Sequence, residues 1–333
     1  MPISRRNFLR DSAQVLSAAS LLGAVATGTS TAFGKDEKSG KGRVTARDLA
    51  VKDVAGLALV SGAGCNVVAL PGPNGALMVD GGLAVNSALL LQAVANATKT
   101  TRVDTLINTH WHPEHTGSNE TVGKAGGRII AHEVTRLALG ARNRSALYDG
   151  LFGPLAKEAL PTATTYNTGS LQFAGEQVDY RYLPGAHTNG DLFIHFPKRN
   201  VLVAGGPVGS NSWPVMDYLN GGFMHGFVRS YEILAEVVKP DTIVIPASGP
   251  TLTGADIVRQ KDIYWALFKQ FFILFNKGAG PQEVIGYNKG VDFETVGTIV
   301  AERPLTGLMQ QMGDPAQFLD AAYRSTQMAT VPF

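Results

Sequence analysis

The stretch that decides the fold reads His110-Trp111-His112-Pro113-Glu114-His115. It places three histidines and a carboxylate within six residues, directly after a β-type run at 105–108. Alternate residues of an extended segment point to the same side, so His110 and His112 can reach one cation, with Glu114 and His115 placed for a neighbouring position. Imidazole and carboxylate are zinc ligands, and a catalytic zinc keeps three protein ligands and one open position. The stretch therefore predicts a metal site, with a chance cluster of histidines as the alternative.

The third ligand is expected from far along the chain. His187 is the natural candidate, because it follows a predicted strand and lies in the turn Leu183-Pro184-Gly185-Ala186-His187-Thr188-Asn189-Gly190-Asp191. The chain has one cysteine, Cys65, which excludes an internal disulfide framework and a multi-cysteine zinc site. Any metal site must therefore use histidines and carboxylates, and a buried, inert thiol is the default interpretation of Cys65.

These two runs, together with the turn Asp80-Gly81-Gly82, resemble the metallo-β-lactamase superfamily of hydrolases. The resemblance covers about Leu57 to Pro250. It implies an α+β fold, a four-layer αββα sandwich with the metal site at one edge between the two sheets, followed by a C-terminal helical extension.

The resemblance also implies a ligand set. The first metal position would be held by three histidines, His110, His112 and His187. The second position would have His115 and Glu114, which fills a slot usually occupied by Asp.

Two further ligands that the family commonly has at the second position are absent. Gly206 stands where the family often has a bridging Asp, and Ser248 stands where a last His commonly follows. We therefore expect one tightly bound zinc ion, with a second ion weak or absent. His225, in the loop after Gly206, is a candidate replacement ligand, although a surface-loop histidine is the simpler interpretation.

The favoured function is a metal-dependent hydrolase that acts on a small-molecule ester, thioester, lactone or amide by activating water. Glu114 would assist proton movement; alternatively, it only holds a ligand histidine. Asp80 and Asp191 are interpreted as residues that stiffen the loops below the site. The competing function is a degenerate member that binds a metal or ligand with little turnover. Oxidation of a substrate by oxygen at a mononuclear iron is a third hypothesis, and a β-lactam substrate is a minority one.

The first 34 residues resemble a twin-arginine export signal. Arg5 and Arg6 precede a mild apolar stretch at 13–27 and the small residues Ala32 and Gly34, which flank Phe33. The stretch is too short and weak for a stable membrane span, which needs about 20 apolar residues. We therefore expect a periplasmic bacterial protein that meets the twin-arginine export machinery; a disordered or anchoring N-terminus is the alternative.

The rest of the chain divides into a linker at 35–43, a metallo-β-lactamase-like domain at 44–255 and a C-terminal helical region at 256–333 packed on it. An amphipathic helix is expected from Asp256, with its apolar stripe in the core or a dimer interface, so a homo-oligomer stays open. The 29 Lys and Arg against 27 Asp and Glu give a net charge of only +2. This balance offers no basic face, so a nucleic-acid partner is not expected.

Overall fold

The computed structural model describes residues 42–145, 147–148, 150–278, 312 and 316–329. The predicted signal at 1–34 and most of the linker lie outside the described residues. The described residues belong to one compact unit, Phe33–Phe333. Among them, no helix is both long enough and apolar enough to cross a membrane.

Seven strands form the first sheet, in the order of the chain from β1 to β7. They are β1 (Ala50–Val54), β2 (Leu57–Ser61), β3 (Val67–Leu70), β4 (Ala76–Val79), β5 (Val103–Ile107), β6 (Arg128–His132) and β7 (Ala163–Thr165). The strands from β1 to β4 are antiparallel, and those from β4 to β7 run parallel.

Six strands form the second sheet, in the order β13-β12-β11-β10-β9-β8. They are β8 (Thr168–Phe173), β9 (Glu176–Leu183), β10 (Asp191–Phe196), β11 (Val201–Gly205), β12 (Ile243–Pro246) and β13 (Leu252–Thr253). Within this sheet β11 and β12 are parallel and the other pairs are antiparallel.

The described helices cover the outer faces and the site. They are α1 (Ser87–Thr98), α2 (Pro113–Thr116), α3 (Asn119–Lys124), α4 (Glu133–Leu139), α5 (Met224–Val237), α6 (Gly254–Asn276) and α7 (Ala316–Ala329). A capping box formed by Thr253 and Asp256 starts α6 at the point where the sequence predicts a helix.

Three apolar cores separate four layers. Successive side chains of a strand point to opposite faces of the sheet, and β4 shows this. Leu77 and Val79 pack between the two sheets, whereas Met78 packs outward against α1. The other outer core joins the second sheet to α5, α6 and α7. The predicted αββα sandwich with C-terminal helices is therefore confirmed.

Several element boundaries differ from the sequence-based expectation. The strand β1 was not predicted, because its residues Ala-Val-Lys-Asp-Val are mostly exposed and show no apolar alternation. For α5 the apolar pattern of the sequence predicts a start at Phe227, whereas the helix begins at Met224. These shifts leave the site edge unchanged, since the loops that follow β5, β9, β11 and β12 all meet there.

Candidate metal centre

The histidine-rich stretch follows β5 and changes its local structure at Pro113. His112 is extended, with φ −60° and ψ 149°, and Pro113 begins the short helix α2. Proline suits the first turn of a helix because its fixed φ is helical and its missing N–H needs no partner there. The expectation of one extended loop is therefore wrong beyond His112. Glu114 and His115 lie on a helical turn, which sends their side chains in different directions.

Three histidines come together as the sequence predicts. Each of His110, His112 and His187 offers one ring nitrogen, and these atoms all lie within 4.8 Å of one another. The side chains are buried, with exposed fractions of 0%, 0% and 6%. The centroids of the His110 and His187 rings are 4.6 Å apart, and the two rings meet edge to face.

Each of these histidines has its outer ring nitrogen fixed by a neighbour. His110 Nδ1 lies 3.0 Å from Thr109 Oγ1, His112 Nε2 lies 3.0 Å from Asp217 Oδ2, and His187 Nδ1 lies 2.5 Å from the Val215 carbonyl. A carboxylate or carbonyl can only accept, so His112 and His187 donate from these nitrogens. Thr109 already donates to Asp80 and can accept from His110. Such partners fix the tautomer of a metal-binding histidine.

The remaining nitrogens carry lone pairs that face one another. His112 Nδ1 and His187 Nε2 are 2.8 Å apart. His110 Nε2 is buried and has no hydrogen-bond partner among the described residues. Burial lowers the pKa of His187 to about 3 and holds the pKa of His110 well below its usual range, which favours neutral rings. Two facing lone pairs need a proton or cation between them, so these residues fit a zinc-type ion.

Asp217 is a residue of the candidate site that the sequence analysis missed. It lies in the loop between β11 and α5, is fully buried, and accepts from His112. Its carboxylate also accepts from Ser145 Oγ at 2.7 Å and from Asn220 Nδ2 at 2.8 Å. The only sequence signal was an acid inside the apolar run Trp-Pro-Val-Met-Asp, which no ligand spacing connects to the histidines.

Glu114 stands apart from the three histidines. The Tyr148 hydroxyl donates to its Oε1 at 2.5 Å, and its buried Oε2 has no partner among the described residues. Tyr148 was not predicted as a site residue because it lies in the segment at 140–165 that shows no clear pattern. The unpartnered Oε2 is therefore an oxygen at which Glu114 can accept a proton.

His115 forms a second cluster with Asp80 and Cys65. Each of these three side chains offers one ligand atom, and the three atoms lie within 4.8 Å of one another. His115 Nδ1 lies 2.8 Å from Asp80 Oδ2, and the Thr109 N–H donates to Asp80 Oδ1 at 2.7 Å. Asp191 stiffens the turn that carries His187, because its Oδ2 accepts hydrogen bonds from the backbone N–H groups of His187 and Thr188. Burial raises the pKa of Asp191 to about 7.

Three further positions, Gly206, Ser248 and His225, supply no ligand to the cluster of His110, His112 and His187. A Cβ atom on Gly206 would lie 2.3 Å from His187 Cδ2, so the ring fills the space that a side chain would need. Ser248 is exposed in the turn after β12. His225 is exposed on α5, with its ring 6.2 Å from that of Phe268.

A four-layer sandwich with a buried histidine cluster at the edge of its sheets defines a class of metal-binding proteins. The family model of the metallo-beta-lactamase superfamily matches residues 60–247, and the chain belongs to this superfamily.

Solved structures show the same fold. The chain is 18% identical to the DIM-1 metallo-beta-lactamase, with a TM-score of 0.50, over 65% of this chain and 97% of that one. It is 14% identical to Pisa1, a stereoselective inverting sec-alkylsulfatase from Pseudomonas sp., with a TM-score of 0.57, over 86% of this chain and 50% of that one.

Proposed function

We propose that this protein is an exported hydrolase that uses a zinc ion held by His110, His112 and His187. The observation that carries the proposal is the 2.8 Å approach of two lone-pair nitrogens, His112 Nδ1 and His187 Nε2, whose other nitrogens are both committed as donors. Beside them lies the unpartnered Nε2 of His110. A divalent cation satisfies all three nitrogens at once.

A zinc ion bound there would polarise a substrate carbonyl and lower the pKa of water. The protein's own residues then have separate tasks. Asp217 and the Val215 carbonyl keep His112 and His187 in the ligating tautomer. Glu114 accepts a proton at Oε2 and can return it to the leaving group, while Tyr148 holds the other oxygen. Esters, thioesters, lactones and amides all fit this division of tasks.

The activity is tested by loading the purified chain with zinc and screening those four substrate classes. β-Lactams and sulfate esters belong in the screen because the two matched structures carry the names of a lactamase and an alkylsulfatase. We expect turnover that His112→Ala abolishes. Equal rates for the zinc-loaded protein and this variant on every substrate would support the competing function, a metal- or ligand-binding protein with little turnover.

The export part of the proposal rests on Arg5 and Arg6 and is tested separately. The full chain and a variant with both arginines changed to lysine are expressed in a bacterial host. Periplasmic recovery of the parent but not of the variant is expected for twin-arginine export. Equal recovery of both in the cytoplasm would contradict it.

A further inference from the structure

The group of Cys65, Asp80 and His115 lies outside the histidine cluster just described. Cys65 lies in the turn between β2 and β3, Asp80 follows β4, and His115 lies on α2. Their exposed fractions are 4%, 1% and 3%, and their ligand atoms all lie within 4.8 Å of one another. Three separate elements thus bring a thiol, a carboxylate and an imidazole to one buried point.

This point lies beside the position where ligands usual for the family are missing. The His115 and His110 rings are only 4.1 Å apart between centroids. Asn66, next to Cys65, donates its N–H to the Ala247 carbonyl at 2.7 Å. Its side-chain amide donates to the carbonyls of Pro246 and Gly249 at 3.0 and 2.9 Å. Cys65 is therefore tied to the turn that carries Ser248.

The partners of Asp80 hold the group in place. Thr109 donates its hydroxyl to Asp80 Oδ2 at 2.8 Å and its backbone N–H to Oδ1 at 2.7 Å. His115 Nδ1 lies 2.8 Å from the same Oδ2. These contacts fix the carboxylate and join it to an imidazole nitrogen through a hydrogen bond, whose proton a bound ion would replace.

We propose that Cys65, Asp80 and His115 form a second divalent-metal site. This site would take the place of the second metal position, at which Gly206 and Ser248 offer no ligand. Thiolate, imidazole and carboxylate together select zinc or cobalt(II) over calcium or magnesium. When the ion binds, the sulfur–metal bond forms and the thiol proton leaves to solvent, while the proton between His115 Nδ1 and Asp80 Oδ2 moves to the other ring nitrogen or to solvent. The inference rests on the proposed function in one respect: the ion at His110, His112 and His187 is part of that proposal. The ligand set Cys65, Asp80 and His115 does not depend on it.

The test is a cobalt(II) titration of the metal-free full chain under anaerobic conditions, followed by absorbance and elemental analysis. A cobalt–thiolate bond gives a charge-transfer band in the near ultraviolet, and the chain has one cysteine, so such a band reports Cys65 alone. We expect this band, together with a second equivalent of cobalt. Its absence at saturating cobalt would overturn the proposal.

Variants separate this site from the histidine centre. Cys65→Ser is expected to lose the band and one equivalent of cobalt, whereas His112→Ala keeps the band and loses the other equivalent. A band that survives in His115→Ala would show cobalt binding to the thiol without the site, and would also overturn the proposal. Cobalt binding without any thiolate band would overturn the second site but leave the hydrolase proposal intact. Failure of His112→Ala to lose cobalt would count against the hydrolase proposal and not against the second site.

Discussion

Gly206 shows how one residue decides which ligands this site can have. The His187 ring occupies the space next to its Cα, so that a Cβ atom would approach the ring to 2.3 Å. Contacts this short do not occur between non-bonded atoms, and a side chain at this position must displace the histidine. The bridging carboxylate common in the family and the His187 position seen here therefore exclude each other.

This conflict makes a prediction about restoring the bridging acid. Gly206→Asp should weaken metal binding at the histidine centre instead of creating a tight second site, because His187 has to move. Zinc content after dialysis measures this, and Gly140→Asp provides a control at an exposed glycine with φ −84°, where no atom lies closer than 3.4 Å to the added Cβ. A gain of one tightly held ion in Gly206→Asp would be incompatible with this prediction.

Asp217 is expected to act on a bound metal ion through His112. Removing its carboxylate in Asp217→Ala frees the His112 ring to rotate and to change tautomer, so we expect zinc affinity to fall by about 10–100-fold. Competition with a chromophoric chelator measures the affinity. Asp241→Ala, at an exposed acid, is the matched control. Unchanged affinity in Asp217→Ala would mean that the 3.0 Å contact with His112 Nε2 does not orient the ligand.

Glu114 is expected to serve turnover instead of metal retention. Glu114→Gln keeps the shape and the acceptor for the Tyr148 hydroxyl but cannot take a proton at Oε2. We expect zinc content to stay the same and kcat to fall by about 10²–10⁴-fold, the range of general acid–base catalysis. The exposed Glu120→Gln is the control. Unchanged turnover in Glu114→Gln would exclude the proton role.

At the scale of single elements, sequence reasoning worked where one local rule decides the structure. The approach of His110 and His112 follows from a strand that ends in an extended segment. The start of α2 at Pro113 overrode that pattern for Glu114 and His115, although proline at a first helical position was a visible signal. Asp217 could not be predicted, because its role comes from a contact with His112 across 105 residues of chain.

The helix α4 gives a pH-dependent prediction. His132 caps it by accepting from the Val134 N–H at Nδ1, while its Nε2 lies 3.1 Å from the Tyr166 carbonyl. Burial lowers the pKa of His132 despite the Tyr166 carbonyl and the Glu133 charge, which raise it. The folded state therefore favours the neutral ring, since an imidazolium cannot accept at Nδ1.

The sign of the effect follows from linkage. The neutral His132 ring contributes its full stabilisation above the pKa of about 6.5 that a histidine has in the unfolded chain. This contribution is lost as the pH falls through that value toward the lower pKa of His132 in the folded protein. Urea unfolding at pH 8 and pH 5 should show that the free energy of unfolding falls more in the parent than in His132→Asn, which keeps a capping acceptor but does not titrate. The exposed His225→Asn should behave as the parent does. Equal losses in the parent and His132→Asn would contradict the account.

At the scale of the described part of the chain, the two sheets are joined at the site edge by backbone contacts. Leu192 at the start of β10 donates to the Thr109 carbonyl at 2.7 Å, and Asn66 donates to the Ala247 carbonyl at 2.7 Å. These contacts bring loops from both sheets to the histidines. The run of motifs along the chain was sufficient to predict the sandwich and the three histidines, whereas the packing around them, such as the Gly206 contact with His187, depends on the folded arrangement.

The proposed function depends on the binding of a divalent metal ion by His110, His112 and His187. Its most direct test is elemental analysis of the purified chain beside His112→Ala and the exposed control His225→Ala. We expect the parent and His225→Ala to carry equal amounts of a zinc-type ion and His112→Ala to carry one equivalent less. Equal metal content in all three proteins, or none in the parent after loading with zinc, would contradict it.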